Sequence, residues 1–355
     1  MKCTVCRSEA EVRLPAHNSK FCREHFDQFF LRQVEKAISG FRMLERGARV
    51  LVGVSGGKDS LTVADVLDRL GYEVVGLHLD LGIDSDDFSA ASRAASERLF
   101  SRLGRPLHIV SLREEFGRAV PEVVGRFSRP CAVCGLTKRH LLNEFAWCHG
   151  FDALATGHHL DDLSATLLAN VLRWDTKYLR KTLPALPGGE GLAAKIKPLA
   201  FLTAEEIRTY ARFRNIEPVP GNCPYSQEAK FKRYARLLDA IERDSPGTKR
   251  AFYANFLRVA HLFAAPASTG VATPGPTVTA GRAAGAAAAA PAPAASPPEA
   301  CSGGLTLGRV AAPELPALRH CRVCGSPTPS EVCAFCRIWR PQAAVPRCNG
   351  PSPDP

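Results

Sequence analysis

The stretch VLVGVSGGKDS, residues 50–60, joins an apolar run to two glycines, a lysine and a serine. The apolar run predicts a buried strand over 50–54, and the residues that follow predict a helix over 60–70. Gly56 and Gly57 allow backbone N–H groups to turn toward an anion, and the first turn of the helix presents its positive end to the same anion. The stretch therefore predicts a phosphate-binding loop between a strand and a helix.

Neither of the two common phosphate-loop patterns fits this stretch. Asp59 follows Lys58, so Walker A is excluded, and Ser55 stands where G-x-G-x-x-G requires its second glycine. What remains is S-G-G-x-D-S, in which Ser55 and Ser60 add hydroxyl donors. The alternative is a glycine-rich tight turn that binds no ligand. The complete six-residue string S-G-G-x-D-S favours the phosphate-binding loop over this alternative.

Strand and helix patterns alternate beyond this loop. Thr203, with Glu206 three residues later, is typical of a capping box that opens another helix. Alternation of this kind implies right-handed crossovers and a parallel sheet covered by helices on both faces, so the predicted fold class is α/β. The predicted strands are 50–54, 73–79, 107–110, 152–155 and a short fifth strand at Ile196, and the predicted helices include 60–70, 88–103, 160–173, 226–243 and 247–263.

A second element, ATGHHLDD, occupies residues 155–162 at the end of the fourth predicted strand. In a doubly wound sheet the first and fourth strands flank the switch point where ligands bind. Gly157 would allow close approach to a nucleotide. Of Asp161 and Asp162, one carboxylate can hold Mg²⁺ on a pyrophosphate, and the other can orient a substrate group or simply cap the helix. Capping alone would explain either aspartate taken singly.

Composition narrows the class of protein. The chain has 355 residues, 45% of them hydrophobic, with a net charge of +11 and 13 cysteines. The excess of lysine and arginine favours a polyanionic partner such as nucleic acid, although ordinary solubility charge is the alternative. The sequence has neither a signal-peptide pattern nor an apolar run that would span a membrane, so we expect a cytoplasmic protein without a membrane partner.

Two cysteine sets predict structural zinc. Zinc prefers four nitrogen or sulfur ligands in a tetrahedron, and two close pairs on facing turns supply them. Both sets leave no vacant position for chemistry, so we expect them to be structural or to contact RNA. The first set is Cys3, Cys6, Cys22 and His25, and the second is Cys321, Cys324, Cys333 and Cys336.

A third set lies between the strands. Cys131 and Cys134 form a C-x-x-C, and the one well-placed partner is Cys223, in GNCPYS. Three thiolates suit a [4Fe–4S] cluster with three ligated irons and one open iron. The alternatives are zinc with an unidentified fourth ligand, or Cys131 and Cys223 as a redox pair.

Together these motifs resemble a known family. SGGKDS resembles the pyrophosphatase loop (PP-loop) of ATPases that adenylate a substrate, and the resemblance implies a Rossmann-like, adenine nucleotide alpha hydrolase fold with a five-stranded parallel sheet. A PP-loop domain with a Cys/His unit before it, C-x-x-C plus N-C-P-Y inside it and a Cys₄ ribbon after it resembles the tRNA 2-thiouridine synthetases. The unusually long Ala/Pro stretch before the ribbon and His159, at a position more often Asn, depart from the family pattern.

The resemblance implies ATP, Mg²⁺, two Zn²⁺ ions and one [4Fe–4S] cluster as ligands of this chain. It implies catalytic functions for Cys131, Cys134, Cys223, Lys138 and Asp162, of which the three cysteines also ligate the cluster, and it implies zinc sites at the two sets already named. The implied ATP-binding residues are Val54, Ser55, Gly56, Gly57, Lys58, Asp59, Ser60, Leu79, Gly157, Asp161 and Asp162.

The implied reaction is ATP-dependent adenylation of a uridine C2 oxygen in tRNA, followed by sulfur insertion and release of AMP. The sulfur is held at the open iron or, alternatively, as a persulfide on Cys131 or Cys223. Candidate donors are a ubiquitin-like thiocarboxylate carrier or sulfide, and a homodimer is one option for the assembly. Other interpretations are a PP-loop enzyme for cytidine thiolation or lysidine formation, or a non-enzymatic zinc-ribbon RNA-binding protein.

Two runs of the sequence are rich in basic residues. The basic runs Arg173–Lys181 and Lys230–Leu238 are candidates for contact with tRNA phosphates, the alternative being solvated helix faces. An amphipathic helix over 31–48 is predicted to connect the N-terminal unit to the catalytic domain.

Composition and motifs divide the chain into five predicted parts. They are an N-terminal zinc-binding unit (1–30), a PP-loop catalytic domain (31–263), a disordered Ala/Pro-rich linker (264–318), a C-terminal zinc ribbon (319–340) and a disordered tail (341–355).

Overall fold

The computed structural model describes residues 1–83, 87–124, 130–221, 223–225, 231–263 and 319–340. The predicted linker (264–318) and tail (341–355) lie outside the described residues. The elements, in chain order, are β1 (Val12–Leu14), β2 (Ser19–Phe21), α1 (Arg23–Gly40), β3 (Arg49–Val54), α2 (Lys58–Arg69), β4 (Glu73–Asp80), α3 (Phe88–Leu103), β5 (Leu107–Ser111), α4 (Leu112–Phe116), α5 (Val120–Val124), α6 (Pro130–Cys148), β6 (Ala153–Ala155), α7 (Leu160–Val171), α8 (Thr176–Leu179), β7 (Ala185–Leu186), β8 (Lys195–Ile196), α9 (Ala204–Phe213), α10 (Phe231–Asp244), α11 (Thr248–Val259), β9 (Arg319–His320), β10 (Pro327–Thr328) and α12 (Ala334–Trp339).

The central sheet has the strand order β5-β4-β3-β6-β8-β7. Its first five strands are parallel, as predicted, and the switch point falls between β3 and β6. The prediction of five strands misses β7, which pairs antiparallel with β8 at the edge and makes the sheet mixed. A strand of two residues carries no periodic pattern, so tertiary pairing alone defines it.

Alternating side chains of β3 divide the core between the two faces of the sheet. Val50, Val52 and Val54 pack with α1, α2, α3 and α9 on one face. Leu51 packs on the other face with α5, α6 and the C-terminal ribbon. A third apolar cluster joins α7 to α11. No helix in the described ranges combines the length and the apolar character needed to cross a membrane.

The helix predicted over 31–48 instead begins at Arg23 and ends at Gly40. Cys22, a member of the first predicted zinc set, is its N-terminal cap in extended conformation, so the predicted zinc unit leads directly into the helix. Asp27 accepts two hydrogen bonds from Arg69, at 2.6 and 2.7 Å, and Phe30 stacks on Tyr210 with ring centroids 4.1 Å apart. These contacts dock the N-terminal unit on α2 and α9.

The C-terminal ribbon packs on α6. Trp339 Nε1 donates to Thr137 Oγ1 at 2.9 Å, and Arg340 forms a bidentate ion pair with Glu144 at 2.9 Å. The ring of Phe335 stacks on His140 with centroids 3.9 Å apart. The ribbon therefore shares a core with the helix that contains the C-x-x-C motif.

Candidate active site

The phosphate loop lies between β3 and α2. Ser60 Oγ accepts a hydrogen bond from Ser55 N at 3.0 Å and donates to Gly57 O at 3.0 Å. Gly56 has φ +71°, and a Cβ atom there would overlap the backbone of Ser92. Helix α2 begins at Lys58, two residues earlier than predicted, so its first turn faces the loop and provides N–H groups for an anion.

An apolar cavity adjoins this loop. Four of its lining residues are Val54 and Ser55 at the end of β3, Leu79 near the end of β4, and Lys138 on α6. Leu81, Ile83, Phe88 and Leu142 also contribute to its lining. An apolar cavity with a few polar groups suits a purine base. Phe88 and Leu142 were not predicted as site residues, because an apolar residue that lines a cavity cannot be distinguished in a sequence from one in the core.

Gly157 brings the second nucleotide element against the first. A Cβ atom at this position would lie 2.8 Å from Asp59 C and 2.8 Å from Ser60 N. The two backbones therefore touch, and only glycine permits that approach.

The two aspartates of the second element have different environments. Asp161 accepts hydrogen bonds from Ala204 N at 2.7 Å and from Lys249 Nζ. Burial alone would raise the pKa of Asp161, but hydrogen bonds from His159 and Lys249 hold it well below its ordinary value. Asp161, on α7, thus links α7 to α9 and α11 through these two hydrogen bonds.

Asp162 is the more accessible carboxylate, with 34% of its side chain exposed. Asp162 Oδ2 accepts from His159 N at 3.3 Å, and the His159 ring lies 3.4 Å from Asp162 and 3.7 Å from Asp59. Burial alone would lower the pKa of His159, but the carboxylates of Asp161, Asp162 and Asp59 outweigh burial and raise it. This local negative potential suits a cation, and Asp162 is the oxygen donor best placed to hold one.

The cysteines of the third set lie near the start of α6. Cys131 Sγ donates to Tyr225 O at 3.3 Å, which places Cys131 beside the segment that contains Cys223. Cys134 and Cys223 border the same apolar cluster, and Lys138 follows Cys134 by one helical turn. Their sulfur atoms are not among the groups of ligand atoms that lie within 4.8 Å of one another in the described residues. Cys131 and Cys134 thus share the start of α6, Cys131 contacts the segment that contains Cys223, and the three thiols suit an iron–sulfur centre in donor type.

Two ligand sets do converge. The ligand atoms of each predicted zinc set lie within 4.8 Å of one another. In the N-terminal set Cys22 Sγ lies 3.1 Å from His25 Nδ1, and in the ribbon the backbone N of Cys333 donates to Cys321 Sγ at 3.2 Å. Four convergent nitrogen or sulfur donors fit a closed tetrahedral metal site in each unit.

Comparison with known proteins gives the family. A family model described as "2-thiouridine synthetase TtuA, N-terminal LIM domain" matches residues 2–27, and one described as "tRNA methyl transferase HUP domain" matches residues 48–219. The tRNA-5-methyluridine(54) 2-sulfurtransferase of Pyrococcus horikoshii is 34% identical over 341 residues, which cover 96% of this chain and 94% of the relative. The chain belongs to the tRNA 2-thiouridine synthetase family. The enzyme of the same name from Thermus thermophilus is 36% identical and covers 96% of this chain and 91% of its own length.

A solved structure agrees with this membership. U34-tRNA thiolase NcsA from Methanococcus maripaludis, solved with its [4Fe–4S] cluster, matches with a TM-score of 0.65 at 25% identity and covers 74% of this chain and 88% of that one. The predicted tRNA 2-thiouridine synthetase family and the predicted α/β fold are thereby confirmed.

Proposed function

We propose that this chain adenylates the C2 oxygen of a tRNA uridine with ATP and then replaces that oxygen with sulfur. One observation supports this most directly. Ser55 at the start of the phosphate loop, Leu79 near the end of β4 and Lys138 line a single cavity. Lys138 lies one turn from Cys134 on α6. Helix α6 thus contributes Lys138 to the cavity and also contains Cys131 and Cys134, two of the three cysteines.

The adenylation half uses the loop and the second element. The C2 oxygen attacks the α phosphorus of ATP, and the bond from that phosphorus to pyrophosphate breaks. Lys58 and the N–H groups of the first turn of α2 stabilise the charge on the departing pyrophosphate. Asp162 would hold Mg²⁺ there, and the ion would neutralise further phosphate charge.

The sulfur half uses Cys131, Cys134 and Cys223. These residues would hold a [4Fe–4S] cluster, which when bound supplies an open iron position for sulfur beside the base. Sulfur forms a bond to C2, the bond from C2 to the AMP oxygen breaks, and AMP leaves. In the alternative mechanism a persulfide donor passes its outer sulfur to Cys131 or Cys223. That sulfur bonds to C2 as AMP leaves, and the other of the two cysteines then breaks the S–S bond, so that Cys131 and Cys223 end as a disulfide.

We propose 5-methyluridine 54 as the target, because the relatives that match nearly this whole chain have that nucleotide in their names. Uridine 34 is the alternative, favoured by the NcsA structure. Two zinc ions, in the Cys₃His set and the Cys₄ set, complete the proposed metal content. A cytoplasmic location, a ubiquitin-like carrier or sulfide as donor, and a homodimer stay predictions.

Anaerobically purified protein, assayed for iron, sulfide and zinc and then incubated with ATP, sulfide and unmodified tRNA, tests the proposal. Mass analysis of the digested tRNA should show 2-thiolated uridine. Cys131→Ser, Cys134→Ser and Cys223→Ser should each abolish thiolation and leave tRNA binding intact. Full thiolation by any of the three variants would contradict the proposed function of the cysteines in sulfur transfer. Absence of AMP formation by the wild type would contradict the proposed adenylation step.

A further inference from the structure

Large side chains are exposed just after α7. Leu172 is 63% exposed, Trp174 is 71% exposed, and Tyr178 is 52% exposed. We name residues 172–181 the aromatic segment. It contains four basic residues and one acidic residue, Asp175, whose carboxylate caps α8 by accepting from Tyr178 N. The segment therefore combines exposed rings with an excess of positive charge.

Trp174 occupies a position that favours glycine. Asp175 N donates to Asn170 O at 3.0 Å and Trp174 N donates to Val171 O at 3.0 Å, which is the hydrogen-bond pair of a Schellman helix end. Trp174 has φ +50°, in the left-handed region that a side chain with a Cβ atom rarely adopts. A mostly exposed tryptophan there adds backbone strain and little burial, so the fold itself does not account for it.

The aromatic segment is nevertheless firmly held. Leu179 is completely buried. Lys197 Nζ donates to Lys181 O at 2.9 Å and to Leu183 O at 2.6 Å, and Tyr253 OH donates to Thr182 O at 2.7 Å. The exposed rings thus project from an anchored backbone and are presented to a partner without a large loss of conformational entropy on binding.

The chemistry of the segment fits unpaired nucleotides. Every base has a π face that can stack on an aromatic ring, whereas bases in a duplex are already stacked and A-form RNA has a deep, narrow major groove. Lys181 Nζ lies 4.5 Å from the centroid of the Tyr178 ring, so a cation accompanies a ring where a phosphate would follow a stacked base. Aromatic faces next to lysine and arginine are the combination that binds single-stranded RNA.

We propose that Trp174 and Tyr178 form a stacking platform for unpaired bases of the tRNA loop that contains the target uridine. This inference rests on the proposed function, since it takes tRNA as the partner. Neighbouring lysines and arginines bind the phosphates between the stacked bases.

Trp174→Gly gives a test that separates stacking from stability. Glycine relieves the strain at φ +50°, so the midpoint of thermal unfolding should be unchanged or raised. Affinity for unmodified tRNA should nevertheless fall by about 5- to 150-fold, the range for losing one base–aromatic stack. Trp174→Phe retains a ring and should bind tRNA nearly as the wild type does.

Salt dependence distinguishes stacking from charge. Trp174→Gly should leave the slope of log affinity against log salt unchanged, whereas Lys177→Gln should reduce its magnitude by about 0.7–0.9. A single-stranded RNA of the loop sequence should bind more weakly to Trp174→Gly, and a duplex RNA of equal length should bind equally to both proteins.

Several outcomes would overturn the inference. If the wild type binds tRNA and Trp174→Gly binds it equally well, the platform does not exist. If tRNA affinity is unchanged but thiolation with a protein sulfur donor falls, the aromatic segment is a protein-docking surface. If the wild type itself fails to bind tRNA, the proposed function fails, which is a result distinct from the first two.

Discussion

The indole Nε1 of Trp339 donates a hydrogen bond to Thr137 Oγ1 at 2.9 Å, across 202 residues of sequence. Thr137 lies on α6, directly before Lys138 in the sequence and three residues after Cys134. The ribbon therefore packs against the helix that contributes to both halves of the proposed reaction. In the sequence, a long stretch separates the ribbon from the catalytic domain. In the fold, the ribbon packs on the helix that contributes Lys138 to the candidate active site.

Breaking the ion pair between the ribbon and α6 should destabilise the protein and weaken nucleotide binding. Arg340→Met leaves the Glu144 carboxylate buried and unpaired, since Arg340 is 7% exposed and Glu144 11% exposed. Loss of one partner of a buried pair costs about 3–5 kcal/mol. We expect a lower unfolding midpoint and a higher Kd for ATP, measured by scanning calorimetry and titration calorimetry.

Arg337→Met is the matched control for this variant, because Arg337 is exposed on α12, the short helix that ends directly before Arg340. It should leave both quantities unchanged. An Arg340→Met protein with wild-type ATP affinity would show that the ribbon does not position α6.

A methyl group at Gly157 should separate the two nucleotide elements. The added Cβ atom would lie 2.8 Å from the backbone of Asp59 and Ser60, so one loop must move. A displacement of about 1 Å in a reacting group can cost about 100-fold in rate. Gly157→Ala should therefore reduce AMP formation from ATP by about that factor, measured by single-turnover assay. Gly40→Ala, where the added atom meets nothing within 4 Å, should retain full AMP formation.

Removing Lys249 should destabilise the protein, because two carboxylates would lose the cation that they share. Lys249 pairs with Asp161 and Asp239, and its side chain is 5% exposed. Lys249→Met leaves Asp161 without its cation, at a cost of about 3–5 kcal/mol in the free energy of unfolding.

The loss on removing Lys249 should depend on pH in a defined direction. Hydrogen bonds from His159 and Lys249, outweighing burial, lower the folded-state pKa of Asp161, so its stabilising contribution is present above the ordinary value of 3.8. That contribution disappears as the pH falls through the lowered pKa. The difference between wild type and Lys249→Met in urea unfolding should therefore shrink below about pH 4, and a difference that grows with acid would contradict the assignment.

The two metal units should differ in their effect on nucleotide binding. Cys6→Ser and Cys336→Ser should each remove one zinc per chain and lower the unfolding midpoint, measured by metal analysis and calorimetry. The N-terminal unit contacts Arg69 in the last turn of α2, away from the phosphate loop, so Cys6→Ser should leave ATP affinity nearly unchanged. Cys336→Ser should weaken ATP binding, because Cys336 lies in the ribbon that packs on α6, and α6 contributes Lys138 to the cavity. Equal ATP affinities for the two variants would contradict this assignment.

Features that depend on neighbouring residues were predictable from the sequence. The helix over 88–103 has the predicted bounds, and the Thr203–Glu206 capping box is present. The ligand atoms of both predicted zinc sets converge, as their spacing indicated. The bounds predicted for the helix over 31–48 were wrong, because its apolar spacing continues back to Phe26 and the helix ends at Gly40.

The sequence by itself determined the phosphate loop, the parallel strands and the two convergent cysteine sets, because each depends on residues a few positions apart whose conformational preferences act locally. Only the tertiary structure decided that Asp161 is held by Lys249, that Lys138 joins the nucleotide cavity and that the ribbon lies against α6. Those contacts join residues separated by tens to hundreds of positions, and their formation depends on how helix and sheet faces pack, which no local pattern encodes.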